Sequence, residues 1–259
     1  MSNYVLGYRD IGYQASYAGG IWRDDLDSKM LNRQLLTAVA RTLGLDDLLL
    51  DITLNQSIDI QVLGICNHNI SSNGTYKWTA YSDSDRLVEV YNSGEITPYS
   101  YLDSIIHKTT CDIIDNPITT AFWRLEITDS NADGYIQLGR LFIGQRFTTG
   151  CNMNYGLKLG VDVSNTIIEE STVGIEAIIQ AINIRTAAFS HSLESYDSGT
   201  EFLAMQLREG VSEVCLFEFN PESKDGGLRT FIGRHSSVSP LDYPSFNVNN
   251  FNFQIKEIL

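Results

Sequence analysis

The chain has 259 residues, of which 43% are hydrophobic, 10% aromatic and 19% charged, and a mean hydropathy of -0.11. That supplies a core and is too apolar for a disordered chain. A formal charge of -14 excludes nucleic-acid binding carried by phosphate contacts, which works by Lys and Arg displacing counterions. No apolar run approaches the roughly 20 residues of a membrane-spanning helix, so no membrane insertion is expected.

The length fits one large β domain or two smaller ones. The opening, MSNYVLGYRDIGYQ, has neither a basic start nor an apolar core, so no signal peptide is expected. Tyr4, Tyr8, Tyr13, Tyr17 and Trp22 crowd this segment. Two readings stay open for them: rings packed on the structure that follows, or rings that stack on a sugar or a partner surface. Residues 27–44 (DSKMLNRQLLTAVARTLG) score as a helix by propensity, with Leu31, Leu35, Leu36 and Val39 on one side. Residues 59–66 (DIQVLGIC) and 76–82 (YKWTAYS) read as strands joined by turn-forming residues 67–75.

The clearest alternation is at 122–128, where Phe122, Leu125 and Ile127 are apolar and Arg124, Glu126 and Thr128 polar. Residues 135–143 follow after the turn 129–134, and the pair reads as a hairpin. A second half begins near Gly150, giving domains 1–150 and 151–259. It carries strands at 155–163 and 213–219, and a closing strand in 251–259 (FNFQIKEIL). Residues 199–210 (GTEFLAMQLREG) are the clearest helix, with Thr200 placed to cap its start and Gly210 to end it.

Motifs for chemistry are sparse. Residues 129–136 (DSNADGYI) match the first eight positions of a calcium-binding EF-hand loop, but position twelve, where the bidentate Glu belongs, is Arg140. The flanks read as strands, so the expectation is a β-turn with local Asp and Asn hydrogen bonds. His68, His107, His191 and His235 have no metal-ligand spacing, and Cys66, Cys111, Cys151 and Cys215 form no CxxC pair. Buried thiols and a reducing compartment fit them best. His68, within Asn67-His68-Asn69, reads as a turn or core hydrogen-bonder. Neither a nucleophile elbow nor a phosphate loop is present: Gly19-Gly20 and Gly226-Gly227 lack the context. The acidic neighbours Asp24-Asp25 and Glu169-Glu170 read as solvated charge rather than a facing catalytic pair. The sequons at Asn69 and Asn73 carry no weight without a secretory route. No catalytic, cofactor-binding or metal-ligating residue is assigned, no cofactor is expected, and ligand-binding residues are not identified.

Together, several blocks resemble a family of tailed-bacteriophage and prophage virion proteins of about this length. They are 63–71 (LGICNHNIS), 90–94 (VYNSG), 122–144 (FWRLEITDSNADGYIQLGRLFIG), 154–160 (NYGLKLG) and 229–259, in which RTFIGRHSSVSPLDYPSFN leads into FNFQIKEIL. The strand-turn-strand of 122–144 is the most specific part. Leu157 stands where the family often carries Trp, and Gln137 takes the acidic or polar position before LGRLF.

The resemblance implies a mainly β protein. Its first half would be a discoidin-like, galactose-binding-like jelly-roll sandwich in which the turn 131–134 joins two core strands and 27–44 is largely extended or loop, against the propensity reading. Its second half would be a tail-tube-like β-barrel with one flanking helix at 200–209. The implied function is non-enzymatic: a homo-oligomeric, sixfold ring at the distal tail or baseplate, made in the host cytoplasm and located at the virion tail tip. It would join the tail tube to hub, tip and fibre proteins. An acidic wall suits a pore through which DNA slides without sticking. The alternative is a carbohydrate-binding tail protein that adsorbs to host-surface glycan. A glycan hydrolase is the third reading.

Overall fold

The computed structural model describes residues 4–102, 105, 107–147, 152–164, 166–170, 176–179, 182–193, 196–221, 223, 226–245 and 248–259. The chain is mainly β. In chain order the strands are β1 (Tyr4–Tyr8), β2 (Ser16–Gly19), β3 (Ala40–Arg41), β4 (Leu48–Thr53), β5 (Asp59–Cys66), β6 (Thr75–Tyr81), β7 (Glu89–Asn92), β8 (Asp112–Thr119), β9 (Phe122–Thr128), β10 (Gln137–Leu138) and β11 (Arg140–Arg146). After residue 150 come β12 (Lys158–Asp162), β13 (Ile167–Glu170), β14 (Glu176–Ile179), β15 (Ile184–Leu193), helix α1 (Tyr196–Glu209), β16 (Val214–Phe219), the short helix α2 (Gly226–Arg229), β17 (Thr230–His235), β18 (Asp242–Ser245) and β19 (Val248–Glu257).

Two sheets dominate. A five-stranded sheet runs β2-β4-β9-β6-β7. A ten-stranded sheet runs β12-β15-β19-β17-β16-β1-β11-β5-β8, with β18 attached to β19. The first half is a sandwich of the five-stranded sheet on the β11-β5-β8 part of the larger one. Period two explains it: Leu48, Leu50 and Ile52 of β4, Tyr76, Trp78 and Ala80 of β6 and Trp123, Leu125 and Ile127 of β9 all face inward. Opposite them stand Ile60, Leu63 and Ile65 of β5, Ile114 of β8 and Leu141 and Ile143 of β11.

The strand expected at 122–128 is β9. The hairpin expected with 135–143 does not form. β9 pairs β4 and β6, whereas β11 pairs β5 and β1, so the turn 129–134 carries the chain from one sheet to the other. As the resemblance implies, the turn joins two core strands; that they belong to different sheets is a finding of the structure. A hairpin would have left one of two inward-facing apolar sets without an opposing layer. Residues 67–74 make a second sheet-to-sheet passage, from β5 to β6.

The propensity helix at 27–44 is absent. The segment holds a 3-10 turn at Ser28–Asn32, capped by the Asp27 side chain, and the two-residue strand β3. Leu31 and Leu36 are fully buried in different clusters, a demand that one apolar stripe on a helix does not meet.

In the second half the sheet carries α1 on one face. Phe202 of α1 packs on Phe251 and Phe253 of β19, and with Met205 it shares one core with Phe189 of β15, Phe217 of β16 and Phe231 of β17. The helix starts at Tyr196, so Thr200 lies inside it rather than at its cap. Gly210 ends it as expected, with φ +55 and its N–H on the Gln206 carbonyl. The strands form an open run rather than a closed barrel among the described residues. β1 sits between β16 and β11, so the second-half strands continue into the first-half sheet. Gly64 of β5 is closely covered there: a Cβ on it would lie 2.8 Å from Leu216 Cδ2 and 2.8 Å from the Thr110 carbonyl oxygen, and the backbone contact favours glycine.

Candidate functional site

The turn 129–134 shows what its acids do. Asp129 Oδ2 accepts from the Ser71 N–H at 3.0 Å and Asn131 Nδ2 at 2.8 Å, and Oδ1 from the Ser71 hydroxyl at 2.6 Å and the Ser130 N–H at 2.8 Å. Burial opposes ionisation of Asp129, but these donors outweigh it and hold its pKa below the usual carboxylate range. Asp133 Oδ2 accepts from Asn69 Nδ2 at 2.9 Å. Arg140, at EF-hand position twelve, lies in the core, where its Nη2 is 2.7 Å from Asp10 Oδ2. This is a hydrogen-bonded passage between sheets. No group of three or more candidate ligands that could hold a metal occurs among the described residues.

His68, three of the cysteines and three of the N-terminal tyrosines are built into the interior. His68 is buried; its Nδ1 accepts from the Ile70 N–H and its Nε2 is 3.2 Å from the Tyr101 hydroxyl. Burial, aided by nearby Lys108, pushes its pKa down to about 3, so the ring is neutral near pH 7. Cys66, Cys111 and Cys215 are buried free thiols; Cys151 lies outside the described residues. Tyr4 and Tyr8 are buried in the second-half core, and the Tyr17 hydroxyl donates to the Gly12 carbonyl at 2.6 Å. Packing accounts for these three rings.

A surface group of different character lies at the end of the sandwich where β5 gives way to β6 and β9 to β11. Three stretches form a small antiparallel ribbon. Arg23 N–H donates to the Arg41 carbonyl and Leu43 N–H to that of Ile21, while Arg41 pairs with Gln137 and Ala40 with Leu138. Alternation then sorts the side chains. Ala40, Thr42, Ile136 and Leu138 are buried beneath. Ile21, Arg23, Arg41, Leu43, Tyr135 and Gln137 share the outer face, with Ile21 63% and Leu43 65% exposed.

Two guanidinium groups lie over one ring: Arg23 Cζ is 4.4 Å and Arg41 Cζ 5.1 Å from the Tyr135 centroid. Their Nε atoms are committed, Arg23 to the Thr42 carbonyl at 3.1 Å and Arg41 to Gln137 Oε1 at 3.0 Å. Neither is in an ion pair among the described residues, and their Nη edges remain as planar donors. Asn69 ties the ribbon to the β5–β6 passage, donating to the Tyr135 carbonyl and accepting from the Gln137 N–H. Beside it is a cleft of about 330 Å³ lined by Ile21, Leu43, Asp46, Asp47 and Leu49. A second cavity, about 580 Å³, lies over β15 and β19, lined by small polar side chains such as Asn154, Ser190 and Asn252. Sequence reasoning did not single out Arg23, Arg41 or Tyr135. The ribbon's named strands are two residues long and carry no periodicity; Gln137 alone was marked, as a departure from the family pattern.

No family model matches the sequence, and no curated protein does. Solved structures similar to part of it include the family 32 CBM from C. perfringens NanJ in complex with galactose, at 13% identity and TM-score 0.42, covering 54% of this chain and 99% of that one. A Streptococcus pneumoniae fucose binding module, SpX-3, is 14% identical with a TM-score of 0.40, covering 53% and 98%. The lectin domain of lectinolysin complexed with Lewis B antigen is 7% identical with a TM-score of 0.40, covering 53% and 96%.

Proposed function

We propose that the protein is a non-enzymatic, carbohydrate-binding component of a bacteriophage tail, which holds host-surface glycan at the loop end of its 1–150 domain. The 151–259 domain anchors it among the tail proteins. The supporting observation is the ribbon's outer face. It offers planar guanidinium donors, held in place by the Tyr135 ring, to pairs of sugar hydroxyls, beside the exposed apolar side chains of Ile21 and Leu43, which suit the C–H face of a pyranose. Affinity electrophoresis through gels of host polysaccharide tests this. Wild type is expected to be retarded, and Arg41→Ala to weaken retention about tenfold, the order of one lost charged hydrogen bond; Tyr135→Ala should do the same by releasing the two guanidinium groups that the ring positions. Unretarded wild type on every host glycan would remove the reading.

A second reading, a structural ring at the tail tip between the tube and the fibres, is favoured by the open ends of the ten-stranded sheet, β12 and β8. Joining unlike edges of successive copies covers both and closes a ring. Immunogold electron microscopy of intact particles is expected to place label at the tail tip only. Protein free in the lysate, with bare particles, would sink it.

A further inference from the structure

β12 ends the ten-stranded sheet. It pairs with β15 through five consecutive residue pairs, and no strand pairs with its other side among the described residues. Lys158, Leu159, Gly160 and Val161 are all exposed, Leu159 by 43% and Val161 by 58%. Such an edge presents unpaired N–H and C=O groups; chains that stay monomeric blunt it with a very short strand, proline, a bulge or charged side chains, Lys above all, so Lys158 guards this edge against any strand that does not bring it a counter-charge. β12 has no proline, and its register with β15 is unbroken. Lys158 and Asp162 share the face of Gly160, opposite to the face of Leu159 and Val161.

The sequence Lys-Leu-Gly-Val-Asp is its own antiparallel complement. Two copies paired about Gly160 set Lys158 of each opposite Asp162 of the other, and Leu159 opposite Val161, each match occurring twice. A slip of one residue sets both charges against apolar neighbours. Parallel in-register pairing sets Lys158 on Lys158 and Asp162 on Asp162. The apolar face excludes odd slips, and the charged face excludes a slip of two, which would leave Lys158 opposite Ser164 or Gly160. Asp162 already holds Lys256 at 2.7 Å, and a second cation from the other copy completes its surroundings. Leu159 pairs with Ala187, which is buried in the second-half core, so the apolar matches extend that core across the join.

We propose that β12 is a two-fold dimerisation edge at which a second copy of this chain pairs antiparallel about Gly160. The contact is isologous and closes on itself, unlike a ring built from β12 and β8. It does not depend on glycan binding, but it would set two ribbon faces on one particle and so convert a weak single-site affinity into avidity.

Cysteine cross-linking in a Cys151→Ser background tests the register. A Cβ at residue 160 meets only the Thr186 hydroxyl, at 3.2 Å. Facing Cβ atoms in such a pair lie about 4.5–5.5 Å apart, close enough for small backbone shifts to permit a disulfide. Gly160→Cys is expected to give a covalent dimer on mild oxidation. Lys158→Cys and Asp162→Cys should cross-link only when mixed. In sedimentation equilibrium, Lys158→Asp should weaken dimerisation about tenfold. A protein monomeric at every concentration overturns the proposal. So does an assembly indifferent to Lys158→Asp, or one in which Gly160→Cys never cross-links.

Discussion

Arg140 shows how far one residue's role can lie from its motif. Its side chain is 1% exposed and pairs with Asp10, also 1% exposed, while Asp10 Oδ1 takes the N–H groups of Gly12 and Ile143. Breaking such a buried pair strands a charge, so Asp10→Ala is expected to lower unfolding free energy by about 3–5 kcal/mol, measured by urea titration. Titration acts in two opposed directions. Burial pushes His68 down to about 3 and His235 to about 4. Below about pH 6.5 the unfolded chain therefore binds protons that the folded chain refuses, and stability falls as pH drops towards 3. Asp112 goes the other way: burial pushes it up to about 7 against the hydrogen bonds from Tyr76 and Trp78. Between about pH 4 and 7 the folded chain keeps a proton that the unfolded chain releases, so stability falls as pH rises. Where the two windows overlap, between about pH 4 and 6, two histidines outweigh one carboxyl, so thermal melts of wild type should rise with pH there, and Asp112→Asn should steepen the rise. Glu218, raised by burial in the same direction as Asp112, leaves a residual opposing slope.

Among elements, α1 is the most consequential addition to the second-half sheet. Phe202 stacks on Phe251 with centroids 3.7 Å apart and is fully buried. Phe202→Ala should cost about 3–5 kcal/mol and loosen the helix, seen as faster hydrogen exchange across it. Strands in both halves were legible in the sequence: β9 and β19 alternate as half-buried strands must, and β16, buried on both faces, reads as a continuous apolar run. Pairing partners were not legible. Whether β9 meets β11 or β4 depends on which apolar face needs an opposing layer, and local spacing does not encode that. Residues 27–44 misled for a related reason: Leu31 and Leu36 are drawn into separate cores, and tertiary burial overrides helix propensity. The ribbon face was the least legible of all. It unites residues 21–23, 41–43 and 135–137, and the sequence gives no sign that Arg23 and Arg41 meet over Tyr135.

At the scale of the whole molecule the two halves share a sheet through β1. Gly7 pairs with Arg146 of β11 on one side and Leu216 of β16 on the other. A further seam lies nearby, where the Tyr99 hydroxyl donates to Glu218 Oε1 at 2.5 Å and a Cβ on Gly226 or Gly227 would strike the rings of Tyr99 or Tyr101. Residues 1–150 expressed alone should therefore bind an apolar dye such as ANS more strongly than the full chain, because Tyr4, Leu6 and Tyr8 lose the core they enter. Adding residues 151–259 should reverse the signal. An unchanged, dye-silent fragment would show that the shared strand contributes little.

The position of β1 also has a consequence in time. During synthesis it leaves the ribosome long before β16, its partner along the other edge. Until then a five-residue strand of apolar and aromatic side chains has one edge to offer to any passing chain. The nascent chain should thus lean on holdase chaperones until β16 emerges, and its folding rate should be set by the late capture of β1.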